Sequence, residues 1–191
     1  MLIVGLTGKT GAGKSDAARS FQKWGFGVVD CDRIAKEVVQ PGCPCLAELS
    51  LEFGAEIIKE NGELDRSALA QAAFTNKEKL SRLNTITHKY ILEKVDRQLE
   101  EHRQSGCKAV IVDGAALFES GFSAHCDKNV VIKADRSIRL ARIMNRDNLT
   151  IERAEERISA QNTDSFYDTR ADHIIENNGD KEALDRAVEK V

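Results

Sequence analysis

Eight residues near the start of the chain, Gly8-Lys9-Thr10-Gly11-Ala12-Gly13-Lys14-Ser15, read G-x-x-x-x-G-K-S. The apolar run Leu2-Ile3-Val4-Gly5-Leu6 stands directly before them, and a helix-compatible segment from Ser15 to Trp24 directly after. Few folds accept that arrangement. A strand must end in a tight loop and a helix must begin at its far side, which is the setting of a phosphate-binding loop. Glycines let the backbone take positive φ and come close to a ligand. Successive N–H groups then line one concavity, and the new helix adds the positive end of its dipole. In such a loop Lys14 reaches the β- and γ-phosphates of a nucleotide, and the Ser15 hydroxyl is a Mg²⁺ ligand. Gly8, Gly11, Ala12, Gly13, Lys14, Ser15 and Asp16 are therefore the candidate nucleotide-binding residues. The competing reading is a glycine-rich turn that binds nothing.

The continuous apolar character of 2–6 suits a strand buried on both faces of a parallel sheet. Further strands are expected at Val28-Val29, Ala109–Asp113, Asn129–Ile132 and Ile174-Ile175, alternating with helices at Asp135–Asn145, Thr150–Gln161 and Asp180–Val191. Because the second strand follows the loop's helix so closely, it is expected beside the first. Between about 41 and 104 the periodicity is almost wholly helical. Leu46, Leu49 and Phe53 mark one helix, and Asp65 caps another running to Phe74. Thr75-Asn76-Lys77-Glu78 has the form of a capping box opening a long segment, read as two helices. That excursion is longer than a crossover between parallel strands requires. The expected fold is thus an α/β phosphate-loop fold with a five-stranded, mostly parallel sheet. One domain comprises a core of 1–40, 105–138 and 170–191, a helical subdomain of 41–104 and an arginine-rich lid of 139–160.

With 191 residues and 31% charged against 41% hydrophobic side chains, the chain can bury a sizeable core. A net charge of −3 gives no basic field for nucleic acid. No run approaches the length of a membrane span, and no signal-peptide pattern opens the sequence. The five cysteines form no C-x-x-C pair, so reduced thiols and a cytoplasmic location are expected.

Phosphoryl transfer needs positioning, a metal, cations about the moving group and an acceptor for a hydroxyl proton. Asp30 and Asp32 end the second strand. In extended chain they would point to one side, and either could serve as the proton acceptor. The residues alone equally allow Asp32 to be a helix N-cap. Asp113 ends the third strand, where an aspartate helps hold Mg²⁺. Arg139, Arg142 and Arg146 share one helical face, with Arg153 and Arg157 following. They suit phosphate oxygens, or else a solvated face paired with Asp147, Glu152, Glu155 and Glu156. The tip Asp147-Asn148-Leu149 is expected to be mobile.

The ordered set of motifs resembles the dephospho-coenzyme A kinase family along nearly the whole chain. The matching segments are Gly5–Ser15, Val28–Ala35, Leu64-Asp65-Arg66, Leu83–His88, Leu117-Phe118-Glu119, Arg142–Asp147, Arg157–Gln161, and Ala171-Asp172 through Asn177-Asn178-Gly179. The resemblance implies an enzyme that uses ATP and Mg²⁺ to phosphorylate the ribose 3′-hydroxyl of dephospho-coenzyme A. It puts Asp32 at the general-base position, Arg142 and Arg146 at the lid and His88 at a substrate position. With the residues read above, the candidates are Lys14, Asp32, Arg142 and Arg146 for catalysis, Asp32, Asn84 and His88 for the substrate, and Ser15 and Asp113 for the metal. The chain departs from the family pattern at Asp16, where a threonine is common, and at Lys89, where proline usually follows the histidine. Ala115-Ala116 and Tyr167 are further departures. Another small-metabolite kinase, or a nucleotide-binding switch module, would share the loop. The guanine-reading Asn-Lys-x-Asp motif of many switches is not present.

Overall fold

The computed structural model describes all residues, 1–191. Five strands, β1 (Leu2–Gly8), β2 (Gly27–Asp30), β3 (Ala109–Asp113), β4 (Lys128–Lys133) and β5 (His173–Glu176), form one sheet in the order β2-β3-β1-β4-β5. Every neighbouring pair is parallel, as the apolar runs predict. The expected adjacency of β1 and β2 is corrected, because β3 lies between them. The reason is burial. Val110 to Asp113 are all buried, whereas only one of the four residues of β2 is. The richer apolar strand takes the central position beside β1, and the short, half-wet β2 takes the edge.

The chain divides into two compact units, one comprising Met1–Asp30 and Glu101–Val191, the other Cys31–Glu100. The helical unit therefore opens at Cys31 rather than at 41 and closes at 100 rather than 104. In the first unit, α1 (Lys14–Lys23) and α9 (Lys181–Glu189) supply Ala17, Ala18, Phe21, Leu184 and Val188 to a cluster with Val4, Leu6, Ile111, Val130, Ile132 and Ile175 of the sheet. Each of the larger side chains, from valine to phenylalanine, contributes about 1.5–3 kcal/mol by leaving water. Helices α6 (Arg136–Asp147) and α7 (Ile151–Ser159) have a small apolar cluster of their own. Ile143, Ala154 and Ile158 are its buried members, with Leu140, Met144 and Leu149 against them. A short helix, α8 (Asp164–Asp168), precedes β5 and was not anticipated.

In the second unit, α2 (Cys31–Glu37), α3 (Pro44–Phe53), α4 (Arg66–Ala73) and α5 (Lys77–Gln104) carry the helical periodicity. Asp65 caps α4, its Oδ1 accepting from Ser67 N at 2.9 Å and Ala68 N at 3.0 Å. The predicted Thr75 capping box does not form. Asn76 is the cap, accepting from Lys79 N at 2.8 Å, while the Thr75 hydroxyl donates back to Ala72 O. Nor does α5 divide in two. It is a single helix of 28 residues, because nothing between 77 and 104 removes an N–H or adds a glycine. Lys89, where the family usually has proline, keeps the ladder intact and pairs with Glu48 of α3 at 3.2 Å. No helix is long and apolar enough to cross a membrane, and all five cysteines are unbridged.

Candidate active site

β1 delivers Gly8 to the carboxyl edge of the sheet, and α1 begins at Lys14, so residues 9–13 must turn sharply. Gly11 (φ 78°) and Gly13 (φ 95°) take the left-handed conformation that a side chain resists. Space excludes a side chain as well. A Cβ on Gly13 would lie 2.1 Å from Asn177 Nδ2, and one on Gly11 would lie 2.7 Å from Arg139 O. The turn is closed by Ala12 N donating to Lys9 O at 3.0 Å. Gly13 O accepts from Asp16 N and Ala17 N, both at 3.1 Å, which starts the helix.

Lys14 Nζ lies 2.5 Å from Asp113 Oδ1, and the side chains are only 14% and 9% exposed. Strand register explains the meeting, since Leu6 is the Cα partner of Asp113 and Lys14 returns over that edge. Asp30 is in turn the partner of Asp113 on the far side. Ser15 is exposed in the first turn of α1. Asp16 also lies in that turn, but its carboxylate pairs with Arg19 along the helix.

The arginine face of α6 divides in two. Arg139 is 5% exposed, although a guanidinium is among the groups least often buried. Its Nε donates to Thr10 O at 2.9 Å and its Nη2 to Gln161 Oε1 at 3.0 Å. Burial lowers its pKa from the usual arginine value, yet an arginine stays charged. Arg142 Nη1 reaches Gly11 O at 3.4 Å and Ala12 O at 3.3 Å. Arg146 instead forks onto Asp147 with two bonds of 2.8 Å, and Arg157 joins the same carboxylate at 2.5 Å. Arg153 pairs with Glu156. Bonds from these arginines hold the Asp147 carboxyl below the usual range, the Arg146 bond first. The tip expected to be loose is thus tied. Asn148 caps α6 in the left-handed conformation, and Leu149 N donates to Met144 O.

Two loop contacts lay outside the sequence reading. Asn177, 5% exposed, donates from Nδ2 to Ala12 O at 2.8 Å. Gln161 Oε1 accepts from Thr10 N at 3.0 Å. The segments that hold them were quoted in the resemblance but given no role. Their one sequence signal is an amide side chain just past a helix or strand end. Glu119 accepts from Tyr167 OH at 3.1 Å and Asn162 Nδ2 at 2.9 Å. Burial first, then the Glu119 charge, pushes the Tyr167 hydroxyl up to about 12.

Asp32, Asn84 and His88 belong to the helical unit. Asp32 is the second residue of α2, so it is helical, not extended. The expectation that it points with Asp30 along a strand is corrected, because the helix starts at Cys31. An acid in the first turn is favoured by the helix dipole. Asn84 is exposed and His88 half-buried, one turn apart on α5.

No three His, Cys, Asp or Glu side chains gather as a metal cluster. Mg²⁺ needs none, since it keeps waters and takes phosphate oxygens alongside one or two protein oxygens. The Ser15 hydroxyl and Asp113 carboxylate are hard donors of the type it requires, so the residues present fit that ion.

A phosphate loop at the carboxyl edge of a parallel sheet ordered 2-3-1-4-5, with an arginine-bearing helix pair after β4, defines a P-loop kinase. The dephospho-CoA kinase family model matches residues 2–183, and the chain belongs to that family. Dephospho-CoA kinase of Corynebacterium glutamicum is 38% identical over 100% of this chain and 96% of its own. That of Geobacillus kaustophilus is 38% identical over 98% and 93%. Among solved structures, a Thermus thermophilus protein superposes with a TM-score of 0.79 at 30% identity, covering 99% of this chain and 95% of its own. Dephospho-CoA kinase from Campylobacter jejuni gives 0.69 at 27%, covering 98% and 94%. A shikimate kinase from Acinetobacter baumannii, at 16% identity and TM-score 0.57 over 100% of this chain and 90% of its own, shares the fold.

Proposed function

We infer that the chain transfers the γ-phosphoryl group of ATP to the ribose 3′-hydroxyl of dephospho-coenzyme A, releasing coenzyme A and ADP. This is the closing step of coenzyme A biosynthesis. The observation that carries the reading is the family match across residues 2–183. The loop geometry agrees with it. Lys14 and the N–H groups at the start of α1 hold the β- and γ-phosphates. When bound, Mg²⁺ neutralises charge on those phosphates, and Ser15 and Asp113 are the residues that would hold it. Asp32 takes the proton from the attacking hydroxyl. Asn84 and His88 contact the acceptor. Arg142 already sits at the loop. Arg146 exchanges Asp147 for phosphate oxygens at small loss, because an exposed pair contributes little and Arg146 is 59% exposed. The reading is of a cytoplasmic reaction, in keeping with five unbridged cysteines.

The test is ADP release measured across candidate acceptors. Dephospho-coenzyme A is expected to stimulate release strongly, and adenosine, shikimate and nucleoside monophosphates are not. No stimulation by dephospho-coenzyme A would overturn the acceptor assignment.

A further inference from the structure

Three consecutive carbonyls of the phosphate loop are held from behind. Thr10 O accepts from Arg139 Nε at 2.9 Å. Gly11 O accepts from Arg142 Nη1 at 3.4 Å. Ala12 O accepts from Asn177 Nδ2 at 2.8 Å and from Arg142 Nη1 at 3.3 Å. The donors come from α6 and from the turn after β5. Gln161, just beyond α7, completes a ring. Its one oxygen accepts from Thr10 N and from Arg139 Nη2, both at 3.0 Å. Arg139 and Asn177 are each 95% buried, so the bonds these two make are largely shielded from water.

Peptide planarity gives the contacts a consequence. Each carbonyl of residue i is antiparallel to the N–H of residue i+1. A donor that fixes Thr10 O therefore fixes the Gly11 N–H on the opposite side. A donor on Ala12 O fixes the Gly13 N–H in the same way. Gly13 O, tied to Asp16 N and Ala17 N, fixes the Lys14 N–H. Glycines at 11 and 13 give the loop the freedom to flip those peptides. Something outside the loop must remove that freedom if the amides are to face a phosphate without reorganising.

We propose that Arg139, Gln161 and Asn177 are positioning residues that set the aim of the phosphate-loop amides, gripping the loop's carbonyls so that the N–H groups of Gly11 and Gly13 face the triphosphate. The proposal rests on the reading that this loop binds ATP, and on nothing about the acceptor.

The test is calorimetric binding of ATP and of inorganic tripolyphosphate to the full chain, with the KM for each substrate measured alongside. Gln161→Met removes the shared acceptor at similar volume, and Asn177→Leu removes the donor to Ala12 O. Each is expected to weaken ATP and tripolyphosphate together by about tenfold, while Gln161→Glu, which keeps an acceptor for both donors, stays within about threefold of wild type. The KM for dephospho-coenzyme A is expected to be unchanged. Thermal midpoints and circular dichroism identify variants that fold. If Asn177→Leu fails to fold, the Gln161 pair decides alone. Folded Gln161→Met with wild-type affinity for ATP and tripolyphosphate would overturn the proposal, as would a Gln161→Glu variant no better than Gln161→Met. Because the readout is ATP binding, the result is separable from the acceptor assignment. A wild type that binds ATP but ignores dephospho-coenzyme A would sink only the latter.

Discussion

Lys14 and Asp113 form one contact that bears on stability and on the proposed chemistry alike. The pair is largely enclosed, so deleting one partner strands a charge away from water, which costs about 3–5 kcal/mol. Lys14→Ala and Asp113→Ala are each expected to lose stability on that scale in urea unfolding. The double variant should recover part of it, since no charge is then left alone. Equal and additive losses would show the pair to be uncoupled. Asp32 belongs to a different category. It lies in the exposed first turn of a helix, where substitution changes stability little. Asp32→Asn is expected to lower turnover at least about 100-fold while ATP affinity survives. Unchanged turnover would remove Asp32 from the reaction.

Among the elements, α5 shows what one residue type decides. Lys89 sits mid-helix, and its pair with Glu48 is half exposed. Lys89→Ala should therefore move the unfolding midpoint little. Lys89→Pro removes a ladder N–H and drives the ring against the preceding turn, an expected loss of about 3 kcal/mol. Thermal or chemical unfolding distinguishes the two. A cheap Lys89→Pro would mean that α5 tolerates a kink at that position. Helix α6 is a second case. One helical face holds two populations of arginine. Arg139 and Arg142 turn to the loop, and Arg146 pairs with an acid beside it. The acid-paired reading of that face holds for Arg146, whereas Arg139 and Arg142 donate to loop carbonyls, a use that neither reading named.

At the scale of the molecule, several carboxylates are held below their ordinary pKa. They include Asp164 by its bond to Lys9, Asp172 by Asn129 N and then Lys128, Asp65 by Ala68 N, and Glu48 by the Tyr90 hydroxyl. A depressed folded-state pKa contributes stability above the unfolded value of about 4, and that stability is lost as pH falls through the folded value. The thermal midpoint should be flat from about pH 7 to 5 and fall steeply below about pH 4. A midpoint that holds steady to pH 3 would contradict the assignment. Much of this protein was legible in its sequence. The phosphate loop, the five apolar runs, the Asp65 cap and the long helical excursion all follow from local rules: which residues tolerate positive φ, which alternate, which cap. Lys14, Ser15 and Asp113 could be named as candidates for the same reason, as they stand at strand and helix ends. Strand order could not be read, because it depends on which apolar run gains most from a central position. The helical state of Asp32 and the unbroken α5 were settled by where helices start and by what fails to interrupt them. The grip of Arg139, Gln161 and Asn177 on residues 10–12 was invisible for a deeper reason. Hydrogen bonds across more than a hundred residues leave no periodicity, and only the folded chain brings a strand-end asparagine to a loop carbonyl near its own beginning.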